Sequence, residues 1–456
     1  MAQISAAPAI FAKDRPNVLF IAVDDLNDWI GCLGGHPQCR TPNIDALASR
    51  GVLFTHAYCA APACNPSRAA LLSGKRPSTS GVYVNPQPWR ESMPDVLTLP
   101  QHFQSEYKVH GGGKIFHGRF KDPQSWHHYE NRPGDPKPSQ QVLKDPHSRA
   151  GGIVFGHLDV DDTEMGDYVL ADWASGFLQK EHQKPFFLAC GFFRPHMPWQ
   201  VPKKYYDMYP LDEIVLPEVP QNDLDDIPPA GVKVAKPQGD HATILKTDNW
   251  RYAVQAYLAS ITFVDVQIGR VLEALDESPH ADNTIIVLWG DHGWHLGEKQ
   301  HWRKFALWEE ATRAPLIMVA PGVTKPNSRC DRTVDFMNIY PTLCHLCDLP
   351  RPSHVEGFDM TPLLKNPQAA WPHPAITTHG RKNHAVRTEQ YRFIQYADGS
   401  QELYDHDTDP NEWTNLAGKP EMRSLMTRLQ SHLKSLQDVP DGPYLKNTRQ
   451  KNNNRK

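Results

Sequence analysis

The chain has 456 residues, of which 39% are apolar, and its formal net charge is −4. A single hydrophobic core stops growing at roughly 250 to 300 residues, so this length predicts one large unit and a smaller appended one. The 48 basic residues are spread along the chain, which argues against a nucleic-acid partner. Because no apolar run approaches the roughly 20 residues of a membrane helix, we expect neither a membrane span nor a membrane partner.

The first 20 residues contain a short alanine-rich apolar stretch without a basic segment before it. Secretory signals begin with a positively charged segment, so this stretch predicts at most a weak or trimmed export signal. We expect a periplasmic or secreted protein, and a cytoplasmic location stays open.

Four apolar runs along the chain each end in side chains that can do chemistry. Continuous apolar runs are typical of strands buried in a parallel sheet. The runs are residues 15–26, 107–118, 184–198 and 283–293. The side chains at their ends are Asp24, Asp25, Lys114, His117, Arg194, His196, Asp291 and His292. Ligands bind beyond the carboxyl ends of parallel strands, so we expect these side chains to share one pocket.

Helical patterns lie between these runs, at residues 43–54, 166–182 and 252–275. Alternating strands and helices predict the α/β class, a large and mostly parallel sheet covered by helices on both faces. Near residue 370 the pattern changes to short strand signals. We therefore predict a catalytic domain over 1–369 and a smaller α+β domain with an antiparallel sheet over 370–456. The polar tail at 445–456 is expected to be disordered.

Three of the strand-end residues are carboxylates, namely Asp24, Asp25 and Asp291. Carboxylates that share a cleft repel one another unless a cation neutralises them. Oxygen donors favour Ca²⁺ or Mg²⁺ over Zn²⁺. The alternative is that Asp24 and Asp25 only cap a following helix.

The stretch CNPSRAALLSGKRP, residues 64–77, places a cysteine at the start of a predicted helix that has a proline in its first turn. Amide groups at such a helix start favour an anion. Arg68, Lys114 and Lys304 would add positive charge around a tetrahedral oxyanion. Cys64 is then either a small buried residue or an activated nucleophile. The eight cysteines do not form paired zinc-site spacings, and Cys344 and Cys347 are expected to be buried thiols in a helix.

The residues Cys64, Asn65, Pro66, Ser67 and Arg68, with Gly74 after them, resemble the signature of the type I sulfatases. These enzymes belong to the alkaline-phosphatase-like superfamily. The signature usually has a small residue where Asn65 stands and a threonine where Ser73 stands. The resemblance covers nearly the whole chain. Within the family, the chain most resembles the iduronate 2-sulfatases and their bacterial relatives. This likeness is carried by the stretches at residues 190–199, 113–118 and 290–304.

The resemblance implies that Cys64 is converted to 3-oxoalanine, also called formylglycine, whose hydrate is the nucleophile. A formylglycine-generating or maturation enzyme would be a partner. The implied metal is Ca²⁺, with Mg²⁺ as the alternative ion. Its implied ligands are Asp24, Asp25, Cys64, Asp291 and His292. The implied catalytic residues are Cys64, Arg68, Lys114, His117, His196 and Lys304.

We therefore predict a sulfuric ester hydrolase that removes an O-sulfate from a sulfated sugar, with a 2-O-sulfated uronate as one candidate. Two alternatives stay open: a phosphonate monoester hydrolase or phosphodiesterase on the same scaffold, and a glycan-binding protein with an unmodified cysteine. The oligomeric state is left open. The candidate substrate-binding residues are Trp294, His295, Trp302, Arg381 and His384, with Arg387 beside them. Packing is the alternative role for the aromatic ones.

Overall fold

A computed structural model describes residues 15–444 of the chain. Most of the predicted export stretch, residues 1–14, and the predicted disordered tail, residues 445–456, lie outside the described residues. No helix within 15–444 has both the length and the hydropathy that crossing a bilayer would require.

The strands form one large sheet and several small ones. In chain order they are β1 (Asn17–Asp24), β2 (Val52–Phe54), β3 (Ala57–Tyr58), β4 (Lys108–Gly113), β5 (His128–Glu130), β6 (Arg149–Ala150), β7 (Ile153–Val154), β8 (Phe186–Pro195), β9 (Thr284–Gly290), β10 (His295–Leu296), β11 (Trp302–Arg303), β12 (Leu316–Val319), β13 (Ser328–Cys330), β14 (Val334–Asp335), β15 (Ala375–Thr378), β16 (His384–Arg387), β17 (Tyr391–Gln395) and β18 (Gln401–Asp405).

The large sheet has eight strands in the order β13-β2-β12-β9-β1-β8-β4-β5. The run from β9 to β5 is parallel, and β12 is antiparallel to both β2 and β9. All four predicted apolar runs are strands of this parallel part, so their carboxyl ends lie at one edge of the sheet. The predicted mixed, mostly parallel sheet is confirmed.

The helices are α1 (Pro42–Ser49), α2 (Cys64–Ser73), α3 (Pro77–Ser80), α4 (Trp89–Ser92), α5 (Leu99–Phe103), α6 (Gln140–Lys144), α7 (Gly166–Leu178), α8 (Lys203–Tyr206), α9 (Pro229–Ala235), α10 (Asp240–Lys246), α11 (Trp250–Asp276), α12 (Glu309–Thr312), α13 (Ile339–Leu346), α14 (Thr361–Lys365) and α15 (Arg423–Ser431). The helix predicted over 43–54 is wrong in its second half. It ends at Ser49, and the β-branched and aromatic residues after Gly51 form β2, which pairs with β12.

Both faces of the large sheet are covered, as the side-chain alternation of β1 demonstrates. Its residues 19, 21 and 23 pack into a core with α1, α7 and α11. Its residues 18, 20 and 22 pack into a second core with α2, α5 and α13. A strand buried on both faces needs apolar residues at successive positions, which is why β1 reads as a continuous apolar run.

The C-terminal part contains the four antiparallel strands β15 to β18, with α15 packed on one face. The predicted antiparallel sheet is confirmed, and its first strand begins at Ala375. The division into domains at residue 370 stays a prediction. Cys344 lies in α13, Cys347 caps it, and both are buried free thiols, as predicted.

Candidate active site

The ends of four parallel strands and the start of α2 meet at one edge of the large sheet. Asp24 ends β1, and Asp291 and His292 follow β9, while Lys114 follows β4. Each of these positions is set by the strand before it, because parallel strands present their carboxyl ends side by side. The sheet thus brings together carboxylates and cations that are far apart in sequence.

Cys64 is the first residue of α2 and is fully buried. Pro66 fits this first turn because the amide groups there have no partner within the helix. Lys304 Nζ lies 2.8 Å from Cys64 Sγ, and His292 Nε2 lies 3.3 Å from it. Lys114 Nζ is 3.8 Å away. The sulfur atom is therefore at the centre of the cluster.

Arg68, one turn after Cys64, fastens α2 to three strand ends. Its Nε donates to Asp291 Oδ2 at 2.7 Å, and its Nη2 lies 3.2 Å from Asp24 Oδ1. Its Nη1 donates to the carbonyl oxygens of Lys114 and Ile115. Arg68 has no exposed surface, so these bonds are shielded from water and hold the helix in one position.

The charges of the cluster control each other's protonation. Burial raises the pKa of the Cys64 thiol, but Lys114 and Lys304 outweigh it and hold that pKa well below its usual value. Burial raises the pKa of Asp291 to about 6 against the opposing effect of Arg68. The pKa of His292 rises to about 9, because the carboxylate of Asp291 outweighs the effect of burial. The site favours an anion at position 64.

The residues present fit a divalent cation. Ligand atoms of Asp24, Asp25, Cys64 and His292 all lie within 4.8 Å of one another. Asp25 Oδ2 is buried and has no hydrogen-bond partner among residues 15–444, a costly state for a carboxylate oxygen without a cation nearby. Asp291 is differently placed, since Oδ2 bonds Arg68 and Oδ1 accepts from the amide of Asp25 at 2.9 Å.

His117 and His196 border the same cluster. His117 lies near the Cys64 thiol and helps to lower its pKa, and its own Nδ1 is buried without a hydrogen-bond partner among residues 15–444. His196 follows β8, its side chain is 27% exposed, and its Nε2 lies 3.9 Å from Asp25 Oδ2. Met197 O accepts from His196 Nδ1 at 2.5 Å, which leaves Nε2 directed at the cluster. All six predicted catalytic residues are thus within one cluster.

Lys304 reaches the cluster from outside the sheet edge, in the loop between β11 and α12. Its Nζ also donates to Asp25 Oδ1 at 2.6 Å. The residues on either side of it, Arg303 and Phe305, have φ angles of 81° and 74°. Left-handed backbone costs a residue other than glycine on the order of 1 kcal/mol or more.

A cleft of about 1080 Å³ lies along the loop that carries Lys304. Arg303 and Phe305 line it on one side, with the α9–α10 region and the β15–β16 turn opposite. Its polar lining includes Lys233, Lys236, Gln238, Asp240, His241, Arg303, His379 and Asn383. Sequence reasoning missed Lys236, His379 and Asn383, because they belong to no motif and follow none of the continuous apolar runs.

The predicted substrate-binding residues divide into two groups. Trp302 lines the cleft, although only 2% of it is exposed and its Nε1 donates to His241. Trp294 and His295 are 1% and 0% exposed, which favours the alternative of packing, and their contact with substrate stays a prediction.

Arg381, His384 and Arg387 are also placed differently from the prediction. Arg381 Nε donates to the carbonyl oxygen of Asp438, and His384 pairs with the Asp438 carboxylate at 3.0 Å. Arg387 is 2% exposed and faces Glu309. His384 and Arg387 are thus buried and paired within the protein, whereas Arg381 is exposed and only its Nε is bonded. The sugar contacts of these residues stay a prediction.

Comparison with known proteins agrees with this geometry. The family model described as Sulfatase matches residues 16–349, and the one described as N-sulphoglucosamine sulphohydrolase, C-terminal, matches residues 297–439. A protein named sulfatase from Formosa agariphila is 41% identical, over 92% of this chain and 86% of its own length. The iduronate 2-sulfatase of Mus musculus is 32% identical, over 76% and 71%. The solved structure of a 2-O GAG sulfatase has a TM-score of 0.71 at 25% identity, covering 92% of this chain and 91% of that chain.

Proposed function

The chain belongs to the sulfatase family, as the sequence predicted, and we propose that it removes an O-sulfate from a sugar at the cluster around Cys64. The observation that carries this proposal is the position of Cys64 Sγ, 2.8 Å from Lys304 Nζ and 3.3 Å from His292 Nε2. An anion at that position is stabilised by buried cations and by the start of α2.

Two groups that the family implies fit these residues. Asp24, Asp25, Cys64 and His292 would hold a divalent cation, with Asp291 beside them, and Ca²⁺ suits the carboxylate donors. Formylglycine at position 64 would supply a hydrated aldehyde as the nucleophile, and the cation would polarise a sulfate oxygen. The identity of the ion and the maturation enzyme that acts on Cys64 are parts of this proposal.

The side chains of this chain position the sulfate and move the protons. Lys114 and Lys304 neutralise the sulfate oxygens and the charge that develops on the leaving alcohol oxygen. His196 is partly exposed at the mouth of the cluster, so its Nε2 can donate a proton to that alcohol oxygen. His117, beside Cys64, accepts a proton from the group at position 64. Arg68 keeps the helix start aligned throughout.

The substrate class is inferred from the cleft beside the cluster. Lys233 and Lys236 are exposed cations on its wall, and Arg303 is paired with Asp240 at 2.7 Å. Exposed positive charge on the wall of a cleft favours a substrate with a carboxylate near its sulfate. The names of two similar proteins, iduronate 2-sulfatase and 2-O GAG sulfatase, support a 2-O-sulfated uronate. A periplasmic or secreted location stays a prediction from the first residues.

Two measurements on the purified protein test the proposal. The intact mass should be lower than the mass calculated from the sequence. The expected difference is that between the CH2–SH side chain of cysteine and the CHO side chain of formylglycine. Turnover of an aryl sulfate should exceed turnover of the matching aryl phosphonate, and the opposite order would favour the phosphonate hydrolase alternative. Cys64→Ala should abolish turnover. Cys59→Ala, which removes another buried free thiol, should keep it. Full turnover in Cys64→Ala would overturn the proposal.

A further inference from the structure

Residues 299–309 carry Lys304, and we refer to them as the lysine segment. Four residues of this segment that are not glycine have left-handed backbone: Lys299 (φ 56°), Gln300 (φ 48°), Arg303 (φ 81°) and Phe305 (φ 74°). Such a conformation persists in ordinary residues only where the surroundings enforce it. The segment therefore depends on groups outside itself for its shape.

The C-terminal sheet and the loop after it supply many of these groups. Arg392 Nη1 donates to the carbonyl oxygen of Leu307 at 2.9 Å, and the amide of Glu309 donates to Glu412 Oε2 at 2.9 Å. Lys299 Nζ donates to the carbonyl oxygen of Glu412. The segment is thus bonded at its start through the Lys299 side chain, and near its end through the backbone of Leu307 and Glu309, to residues that lie 85 or more positions later in the chain.

Side chains reinforce these backbone bonds. Trp308 Nε1 donates to Glu402 Oε2 at 2.7 Å, and Trp308, Leu307 and Ala306 pack in one core with residues of the C-terminal sheet. Arg392 and Glu402 have no exposed surface, and Glu412 is 2% exposed. Bonds to fully buried groups are expensive to break, because the freed partner stays unpaired away from water.

The buried charges at this junction are paired with one another. Glu309, His406 and Glu412 have the spacing of a metal group, but Arg392 lies between the two carboxylates. Its Nη2 bonds Glu309 Oε2, and its Nε lies 2.5 Å from Glu412 Oε1. Arg392 therefore supplies the positive charge that neutralises this cluster. Its ion pairs link α12 to the C-terminal part.

We propose that Arg392, Glu402 and Glu412 are positioning residues that hold Lys304 against Cys64. They act through the backbone of the lysine segment and do not touch the substrate themselves. The inference rests on the proposed function, in which Lys304 serves the reaction.

The test replaces Glu412 by glutamine, which keeps its shape and removes its charge. Glu412→Gln should lower kcat for an aryl sulfate about tenfold or more, because misplacing a catalytic group by about 1 Å can cost a hundredfold. KM should change far less than kcat. The matched control is Glu389→Gln, which breaks another ion pair between the C-terminal part and the rest, Arg332–Glu389 at 2.9 Å. That pair does not touch the lysine segment, and the control should keep both kcat and KM.

A double-mutant comparison separates positioning from a general loss of structure. In the Lys304→Ala background, Glu412→Gln should lower kcat no further, because its effect passes through Lys304. An equal loss of kcat in both backgrounds overturns the proposal. So does an unchanged kcat in Glu412→Gln alone when Lys304→Ala is severely impaired. Full activity of Lys304→Ala would instead refute the role of Lys304 in the proposed function.

A second variant covers a failure of Glu412→Gln to fold. Trp308→Phe keeps an aromatic ring in the core and removes only the bond to Glu402. It should lower kcat in the same way, with amide hydrogen exchange accelerated within residues 299–309. Unchanged kcat with faster exchange there would show that the position of the segment does not limit the reaction, and the proposal would be wrong.

Discussion

Asn65 departs from the usual family signature, and the structure assigns it a specific structural task. Its side chain is 1% exposed, and its Nδ2 donates to the carbonyl oxygens of Gln87 at 2.7 Å and Val84 at 3.2 Å. The backbone N–H of Asn65 donates to Asn85 Oδ1 at 3.0 Å. Asn65 therefore ties the loop at 84–87, which reaches the cleft through Val84, to the residue next to Cys64.

The cost of removing these bonds can be worked out from the contacts. Asn65→Ala loses two hydrogen bonds, each worth about 1 kcal/mol. It also removes the buried Oδ1, which has no partner within the described part of the chain, so part of that loss is recovered. The net destabilisation should be about 1 to 2 kcal/mol.

Asn65→Asp should be worse than the alanine variant, although the two side chains of asparagine and aspartate have the same shape. It places a carboxylate against two carbonyl oxygens, and an unpaired buried charge costs about 3 to 5 kcal/mol. The attraction of the helix start for an acid recovers only about 0.3 to 1 kcal/mol. The buried charge therefore dominates, and the aspartate variant should be the less stable by about 2 kcal/mol.

The assay is urea denaturation followed by tryptophan fluorescence, with the midpoints of the parent and the two variants compared at one pH. The expected order of stability is parent, then Asn65→Ala, then Asn65→Asp. If both variants unfold at the parent midpoint, the bonds to Gln87 and Val84 contribute nothing and the reasoning is refuted.

Three further predictions concern the turn after α2, the cleft and the metal group. Gly74 (φ 71°) ends α2, and an added Cβ would lie 2.9 Å from Val355 Cγ2. Gly74→Ala should therefore lower the unfolding midpoint more than Gly34→Ala, because Gly34 has a similar φ of 70° but open space around it. Equal midpoints of the two variants would show that the contact with Val355 costs no stability. His241 accepts from Trp302, and burial lowers its pKa from 6.5 to about 4, so it is neutral in the fold. The stability that neutral His241 gives to the fold is complete above pH 6.5 and is lost as the pH falls toward 4. His241→Gln should flatten the dependence of the unfolding free energy on pH in that range. An unchanged dependence would show that His241 is not the titrating group. A chelator should abolish turnover and lower the thermal midpoint, and Ca²⁺ should restore both; no change in either would show that the cluster functions without a cation.

The core of the site could be predicted from the sequence because each of its residues follows a recognisable local pattern. β1 and β9 are continuous apolar runs, and parallel strands present their carboxyl ends at one edge. Asp24, Asp291 and His292 follow such strands directly. Cys64 and Arg68 are one turn apart on a helix, so their shared direction also follows from local geometry.

The cleft and the ion pairs of Arg392 with Glu309 and Glu412 could not be predicted in this way. Glu309 pairs with Arg392 across 83 positions, and the amide of Glu309 bonds Glu412 across 103. No periodicity reports such contacts, which depend on how the loop after β11 crosses the C-terminal sheet. Arg387 illustrates the result: its sequence surroundings suggested a sugar contact, but its partner is the buried Glu309.

Asp25 connects the two parts of the site. One of its oxygens, Oδ1, accepts from Lys304, three residues before Leu307, whose carbonyl oxygen accepts from Arg392 of the C-terminal sheet. The other, Oδ2, is buried without a hydrogen-bond partner among the residues described, and it belongs to the strand-end group that fits a cation. A carboxylate has two oxygens, so Asp25 can pair with Lys304 and would still offer a ligand atom to a cation. The strand ends and the start of α2 therefore build the metal group, and the loop between β11 and α12 adds Lys304 as a further buried cation beside Lys114.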